Sequence, residues 1–327
     1  MDTENLCTEI DGVTKNRAFL AAVGATFSCI LLLKTLILVY RAFHFLFVTN
    51  FGSAETEKYG QWAVVTGGNS GIGRGYAHLL ARRGTKILLV ARNSDTLKST
   101  ARTITSLYGV ECQYFALDLG REEGVYANLE RRLRGLDVGI LVHCAGIAGK
   151  SPCYFLEESR ENVVAMLELH GRATVQTTRL VLSAMLAKNK GVIINLSSVL
   201  SEFPLPLSAV YSSCKAFMDR FGTALNWEIR RTDVRCQTLL PYSVDTAMIY
   251  SSGVLLNYIR FFVISTETFC QSAIKTVGVL DRTAGQWRHA VYRFLVGLLP
   301  RSLLWFISFR QSNDIRLRVI AAQNSET

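Results

Sequence analysis

A doubly wound α/β fold around a parallel sheet is predicted by three features of this 327-residue chain. Short apolar runs alternate with longer amphipathic ones after Phe51, the short runs are apolar at consecutive positions, and a glycine-rich turn joins the first of them to a helix. Strands are expected over residues 62–66, 86–91, 112–117, 138–143, 191–196 and 234–240, apolar on both faces as strands between two helix layers should be. Helices are expected over 72–83, 97–108, 160–187 in whole or part, and 208–231. No internal repeat or low-complexity tract interrupts them. The domain plan is an N-terminal segment, 1–51, followed by the α/β domain, 52–327, which ends in an apolar extension.

Composition narrows the class. Hydrophobic residues make up 49% and charged residues 19%, which excludes a disordered chain and favours membrane association. The net charge of +10 suits nucleic acid, anionic lipid or a phosphate-bearing ligand. No basic stripe with interleaved aromatics is present, so nucleic acid is not expected as a partner. The eight cysteines stand apart, with no C-x-x-C and no Cys/His cluster. Neither a metal site nor a disulfide framework is expected, and the plainer reading is reduced thiols facing the cytosol.

Residues 18–40 are apolar apart from small hydroxyls and Lys34, close to the ~20 residues that a helix needs to cross a bilayer. Lys34 lies toward one end, where it can snorkel beside Arg41 and His44. A cleavage site is lacking and acidic residues precede the run, so a membrane-anchor helix fits better than a removable signal peptide. A helix lying in one leaflet remains the alternative. Basic residues on both flanks leave the orientation open.

Directly after the first strand comes Thr66-Gly67-Gly68-Asn69-Ser70-Gly71-Ile72-Gly73-Arg74. Strand, glycine turn, helix is the setting in which backbone approaches a pyrophosphate at a helix N-terminus, the mark of a Rossmann-type dinucleotide site. Gly67, Asn69, Ser70, Gly71, Ile72, Gly73 and Arg74 are the candidate binding residues. The second strand ends Val90-Ala91-Arg92, with no acid for the ribose hydroxyls. Arg92 and Arg74 can pair with a 2′-phosphate, which favours NADP(H) over NAD(H), the bland alternative being two solvated arginines. Asp118, at the end of the third strand, is placed to accept from the adenine amino group.

Tyr211 and Lys215 stand four residues apart, on one face of a helix. A tyrosine ionises near pH ~10, so acid/base use near neutrality calls for a cation such as Lys215 together with an oxidised nicotinamide. Ser198 closes the fifth strand, at the carboxyl end of the sheet, where its hydroxyl can hold a carbonyl oxygen.

These residues together resemble the short-chain dehydrogenase/reductase family, and most of all its membrane-anchored branch of 17β-hydroxysteroid dehydrogenases and very-long-chain 3-oxoacyl-CoA reductases. The resemblance runs from Tyr59 to the C-terminal region, through Tyr59-Gly60-Gln61-Trp62, the glycine turn, Val138-Gly139-Ile140-Leu141-Val142, Asn195-Leu196-Ser197-Ser198, Tyr211 with Lys215, and Pro241-Tyr242-Ser243-Val244-Asp245-Thr246. It implies Tyr211 as proton donor, Lys215 on the nicotinamide ribose, Ser198 orienting the carbonyl, and Pro241 and Val244 beside the nicotinamide. It also implies an endoplasmic reticulum location with the catalytic domain toward the cytosol, and helix-mediated pairing into a homodimer. Two departures stand out. His143-Cys144-Ala145-Gly146 replaces the family's Asn-Asn-Ala-Gly, although Ala145 and Gly146 still permit close approach of the cofactor. His170 falls where the family has its catalytic asparagine, as a relay member or as a packed core residue.

The aromatic-rich stretch 248–264 holds the place of the family's substrate lid, and it reads equally as a core or membrane-facing helix. Residues 290–309 suit an interfacial segment, interrupted as they are by Arg293, Pro300 and Arg301. The expectation is a membrane-bound, NADPH-dependent reductase of a hydrophobic steroid or long-chain acyl ketone. A catalytically weak scaffold at the membrane is the alternative.

Overall fold

The computed structural model describes residues 3–53, 55–120, 124–149, 151–251 and 260–325. Two compact units emerge, Met1–Val48 and Thr49–Thr327. The first is helical, within a long helix α1, Thr3–Phe51. Its stretch Phe19–Phe51 is long and apolar enough to cross a membrane, the sole such single helix among the described residues. Phe19, Phe27, Leu32 and Val39 are each more than half exposed.

The second unit is built on β1 (Trp62–Thr66), α2 (Gly71–Ala81), β2 (Lys86–Ala91), α3 (Ser94–Tyr108), β3 (Cys112–Ala116), α4 (Val125–Leu133), β4 (Val138–His143), α5 (Arg160–Leu167), α6 (Ala173–Ala187), β5 (Gly191–Leu196), α7 (Ala209–Glu228) and β6 (Val234–Leu239). Three two-residue strands follow, β7 (Val244–Asp245), β8 (Ile264–Ser265) and β9 (Arg282–Thr283). The main sheet has the order β3-β2-β1-β4-β5-β6-β9, and every pairing in it is parallel. The chain leaves β1 toward β2 on one side and β4 on the other, so a crevice opens at the carboxyl ends of these strands.

Alternate strand residues feed two cores. Ala63, Val65, Ile87, Leu89 and Val142 pack under Tyr76 and Leu80 of α2, Leu97 and Ile104 of α3, and Phe269 of helix Thr266–Ile274. Val64, Leu88, Val90 and Leu141 pack against Leu129 of α4, Val181 and Met185 of α6, and Leu225 of α7. The expectation of two buried faces fails for β3, whose residues are intermediate or exposed and whose Tyr114 is 37% exposed. It is an edge strand, covered less than the strands inside the sheet.

The helix expected over 160–187 contains a π turn at Glu168–Arg172 between α5 and α6. Helix α4 was not expected: it is short, and its Glu130, Arg131 and Arg132 mask the apolar pair Val125 and Leu129. The apolar C-terminal stretch forms helices Trp287–Gly297 and Arg301–Ser325, bent by 119° at the break holding Pro300. Of the lid stretch, Leu255, Leu256 and Tyr258 lie outside the described residues.

Strand β4 carries an irregularity against β1, with Trp62 paired to Val138 and Ala63 to Ile140. The odd residue is Gly139, over which the Tyr59-Gly60 turn crosses so closely that a Cβ would stand 2.3 Å from the Tyr59 carbonyl. Backbone cannot yield there as a side-chain tip would. Gly139→Ala is therefore expected to destabilise the domain by about 1–3 kcal/mol, read as a lowered thermal midpoint by circular dichroism. An unchanged midpoint would contradict the contact.

Candidate active site

The phosphate-binding turn is shaped by backbone proximity. Gly67 has φ +66°, and a Cβ on it would stand 2.8 Å from the amide nitrogen of Ala145, while one on Gly73 would stand 2.3 Å from the Gly67 carbonyl oxygen. No larger residue fits either place. Ser70 holds the N-cap position of α2 without a side-chain capping bond, so the first-turn N–H groups point at the crevice. The buried Thr66 hydroxyl donates to Val142 O (3.3 Å) and accepts from the Cys144 and Ala145 amides (3.2 Å each), tying the end of β1 to the loop after β4. This cradle fits a dinucleotide pyrophosphate.

A cavity of about 820 Å³ runs along the carboxyl edge of the sheet. Gly67, Asn69, Ser70, Gly71, Ile72, Gly73, Arg92, Asp118, Ala145, Gly146, Ser198, Tyr211, Lys215, Pro241 and Val244 all line it. Arg74, exposed on the first turn of α2, and the fully buried His170 stand outside its wall. One Asp118 carboxylate oxygen accepts from the Gly120 amide at 3.0 Å.

Ser198 caps a 3-10 turn, Val199–Ser201: its hydroxyl accepts from the Leu200 amide at 3.1 Å and donates weakly to Pro241 O at 3.5 Å. Helix α7 presents Tyr211 and Lys215 to the same cavity. The Ser197 hydroxyl holds that helix by donating to Lys215 O at 2.6 Å. Lys215 is buried, its ammonium donating to Leu196 O at 3.0 Å and lying 5.6 Å from the Tyr211 ring centroid. Burial lowers its pKa to about 8, the Cys144 and Cys214 thiols opposing. Burial pushes Tyr211 up to about 12, with Cys214 adding to the rise.

His170 sits in the π turn between Gly146 and the Tyr211 ring, whose centroid is 5.9 Å away in an edge-on arrangement. Burial, then the charge of Lys215, pulls its pKa down to about 3, so the ring is neutral. Its Nε2 faces both Ile147 O at 2.8 Å and the Ile147 amide at 3.3 Å; the shorter contact assigns the proton to Nε2, and the buried Nδ1 has no hydrogen-bond partner among the described residues. The titration near pH 6.5 that a relay imidazole would show in solution is thereby removed.

Sequence reasoning reached Tyr242 and Met248, through the Pro241 segment and the lid stretch, but missed Tyr292 and the C-terminal helix as cavity lining. Tyr242 stacks on Tyr292 at 3.6 Å, and both line the cavity with Met248, Ser308, Ser312 and Ile315. The last three recur at helical spacing on Arg301–Ser325, a pattern visible in sequence only once a neighbour for that face is known. Tyr250 belongs to the same stretch, but its side chain lies outside the described residues. Arg316 of that helix pairs with Glu157 and lies over the Tyr154 ring.

The fold and the site define a dinucleotide-dependent oxidoreductase acting on carbonyl or hydroxyl groups. A family model described as short chain dehydrogenase matches residues 61–253, and the chain belongs to that family. It is 34% identical over 304 residues to the very-long-chain 3-oxoacyl-CoA reductase of Mus musculus, covering 92% of this chain and 95% of that one. It is 33% identical to hydroxysteroid dehydrogenase-like protein 1 of Gallus gallus, over 77% of this chain and 76% of that one. Among solved structures, a 7β-hydroxysteroid dehydrogenase shares the fold, with a TM-score of 0.70 at 21% identity over 78% of this chain and 99% of that chain. A short-chain dehydrogenase from Sphingobium yanoikuyae in complex with NADPH gives 0.63 at 25% identity, over 73% and 96%.

Three buried imidazoles make stability depend on pH. Burial lowers His143 and His170 to about 3 and His289 to about 4, below the ordinary 6.5. The unfolded chain binds protons that the folded one refuses, so stability is lost as pH falls from about 6.5. At pH 5 the loss is about 2 kcal/mol per imidazole. Urea unfolding of the full chain in detergent should show a lower midpoint at pH 5 than at 7.5. Equal midpoints would exclude burial of neutral rings.

Proposed function

We propose that this chain is a membrane-attached, NADP(H)-dependent reductase of a long-chain 3-oxoacyl-CoA or steroid ketone, also able to run the reverse oxidation. The observation that carries this reading is the convergence of Ser198, Tyr211 and Lys215 on a cavity that Met248, the stacked pair Tyr242 and Tyr292, and helix Arg301–Ser325 also line. The mouse relative, a very-long-chain 3-oxoacyl-CoA reductase, and the chicken relative, a hydroxysteroid dehydrogenase-like protein, favour an acyl or steroid substrate. Ala91 and Arg92 at the end of β2 favour the 2′-phosphorylated cofactor, as in the Sphingobium structure.

The bound dinucleotide supplies a hydride. Ser198 already accepts from Leu200, so its proton is available to the substrate carbonyl in place of the long bond to Pro241 O. Tyr211 donates the proton that completes the alcohol, and Lys215, lowered only to about 8, keeps its charge at neutral pH. His170, neutral and packed behind the cavity wall, contributes by position: its Nε2 braces the Ile147 loop and its ring packs edge-on against Tyr211.

Helix Phe19–Phe51 attaches the chain to the membrane. The C-terminal helices add an interfacial contact through exposed Phe294, Leu298, Trp305 and Phe306. We place the protein at the endoplasmic reticulum with its α/β unit toward the cytosol, a compartment suited to the free thiols of Cys112, Cys144 and Cys153. A homodimer through the face that carries Leu167, Val175 and Phe217 suits the apolar hollow between α5, α6 and α7.

Turnover of 3-oxoacyl-CoAs and ketosteroids by the detergent-solubilised chain tests the reading. Tyr211→Phe should lower the rate by roughly 10²–10⁴-fold and leave NADPH affinity within about twofold. Activity that survives in this variant would remove Tyr211 as the proton donor, and its absence from the wild type across the screen would replace the reductase with a cofactor-binding scaffold. For the cofactor, Arg92→Ala should weaken NADPH binding by roughly tenfold or more and leave NADH unchanged. A wild type without preference would refute the assignment.

A further inference from the structure

Four charged residues from four distant segments meet behind the catalytic wall. Asp219 lies on α7, four residues beyond Lys215 and eight beyond Tyr211, and it is buried. Arg282 of β9 grips it with both arms, Nε to Oδ1 and Nη2 to Oδ2, each at 2.8 Å. The same Nη2 donates to Glu202 Oε1 at 2.8 Å. Glu202 in turn is held by the fork of Arg293, with Nε and Nη2 each 2.7 Å from a carboxylate oxygen.

The ends of this chain of ion pairs are what matter. Glu202 is the C-cap of the turn Val199–Ser201 that Ser198 opens, and its amide donates to Val199 O at 3.1 Å. From the same turn Ser201 donates to Asp219 Oδ2 at 3.2 Å. The Ser198 turn is thereby fastened to the Tyr211 helix at two points, although the segment joining them passes through Leu207 at a strained φ of +62°. Arg293 follows Tyr292, which stacks on Tyr242 in the cavity wall.

We propose that Glu202 and Arg293 are positioning residues, part of an ionic clasp that sets the Ser198-to-Tyr211 spacing and couples it to the substrate wall at Tyr292. Neither touches the reacting atoms. The paired charges make the clasp specific in length: a bidentate guanidinium–carboxylate pair has one low-energy geometry, whereas apolar packing tolerates sliding. A substrate that displaces Tyr292 pulls on Arg293, and the pull reaches Glu202 and the Ser198 turn without passing through the cofactor cradle. This inference rests on the roles proposed for Ser198 and Tyr211.

Glu202→Gln keeps the size and removes the charge, and Arg293→Met keeps the stem and removes the fork. In both variants kcat should fall roughly ten- to a hundredfold, the scale on which a misplacement of about 1 Å acts, with NADPH affinity within about twofold of wild type. Arg293→Lys should recover part of the loss. Hydrogen–deuterium exchange of the full chain in detergent supplies a readout independent of turnover: amides over 199–203 and 209–215 should exchange faster in Glu202→Gln, and those of β1 and α2 should not. Unchanged kcat, or NADPH affinity falling in step with kcat, would overturn the proposal. Should the wild type turn over no carbonyl, the proposed function fails separately, and unchanged exchange at 199–215 still overturns the clasp.

Discussion

A buried ammonium organises this active site. Lys215 lies beneath the surface, bonded to the Leu196 carbonyl, and makes no salt bridge among the described residues. The acid nearest in sequence, Asp219, is already committed to Arg282 and Ser201. The charge is therefore spent on its surroundings: it helps keep His170 neutral and lies over the Tyr211 ring. A buried cation without a counter-ion favours electron-rich groups that enter the cavity, such as hydroxyls or a developing phenolate. Its desolvation is tolerated because Ser197 and Leu196 fix both the backbone and the head group.

The sheet makes this arrangement possible. Because all its pairings are parallel, each connection after a strand begins at one edge, and the glycine turn, Arg92, Asp118, Ala145, Ser198 and Pro241 arrive there from six different strands. Close backbone contact at Gly67 and Gly73 shapes the cradle side of the crevice. The crevice is also walled by helix Arg301–Ser325, which turns Ser308, Ser312 and Ile315 inward while Trp305 and Phe306 remain exposed. One helix thus has a cavity on one side and exposed apolar residues on the other.

His170 shows how a substitution is absorbed. The π turn widens the helix by one residue at that point, and the imidazole fills the space against Gly146, where a Cβ would come within 2.8 Å of its Cε1. The ring acts as a brace for the Ile147 loop through Nε2, and burial removes its titration. Its Nδ1 is left buried without a hydrogen-bond partner among the described residues.

Much of the fold was legible in the sequence because its determinants are local. The inner strands are runs of consecutive apolar residues, the glycine turn follows β1 directly, and Tyr211 and Lys215 share a helix face by their spacing alone. The elements that escaped have short or masked patterns: α4 with its charged surface, and β7 to β9, which are two residues each and exist only through their partners. Likewise the sequence names Ser198, Tyr211, Lys215 and the cradle by itself. It does not reveal that burial raises Tyr211, that His170 is neutral, that β3 is an edge, or that Glu202, Asp219, Arg282 and Arg293 form one clasp. Those properties belong to burial and to contacts between segments up to 91 residues apart, and neither desolvation nor long-range pairing is encoded in any single stretch of chain.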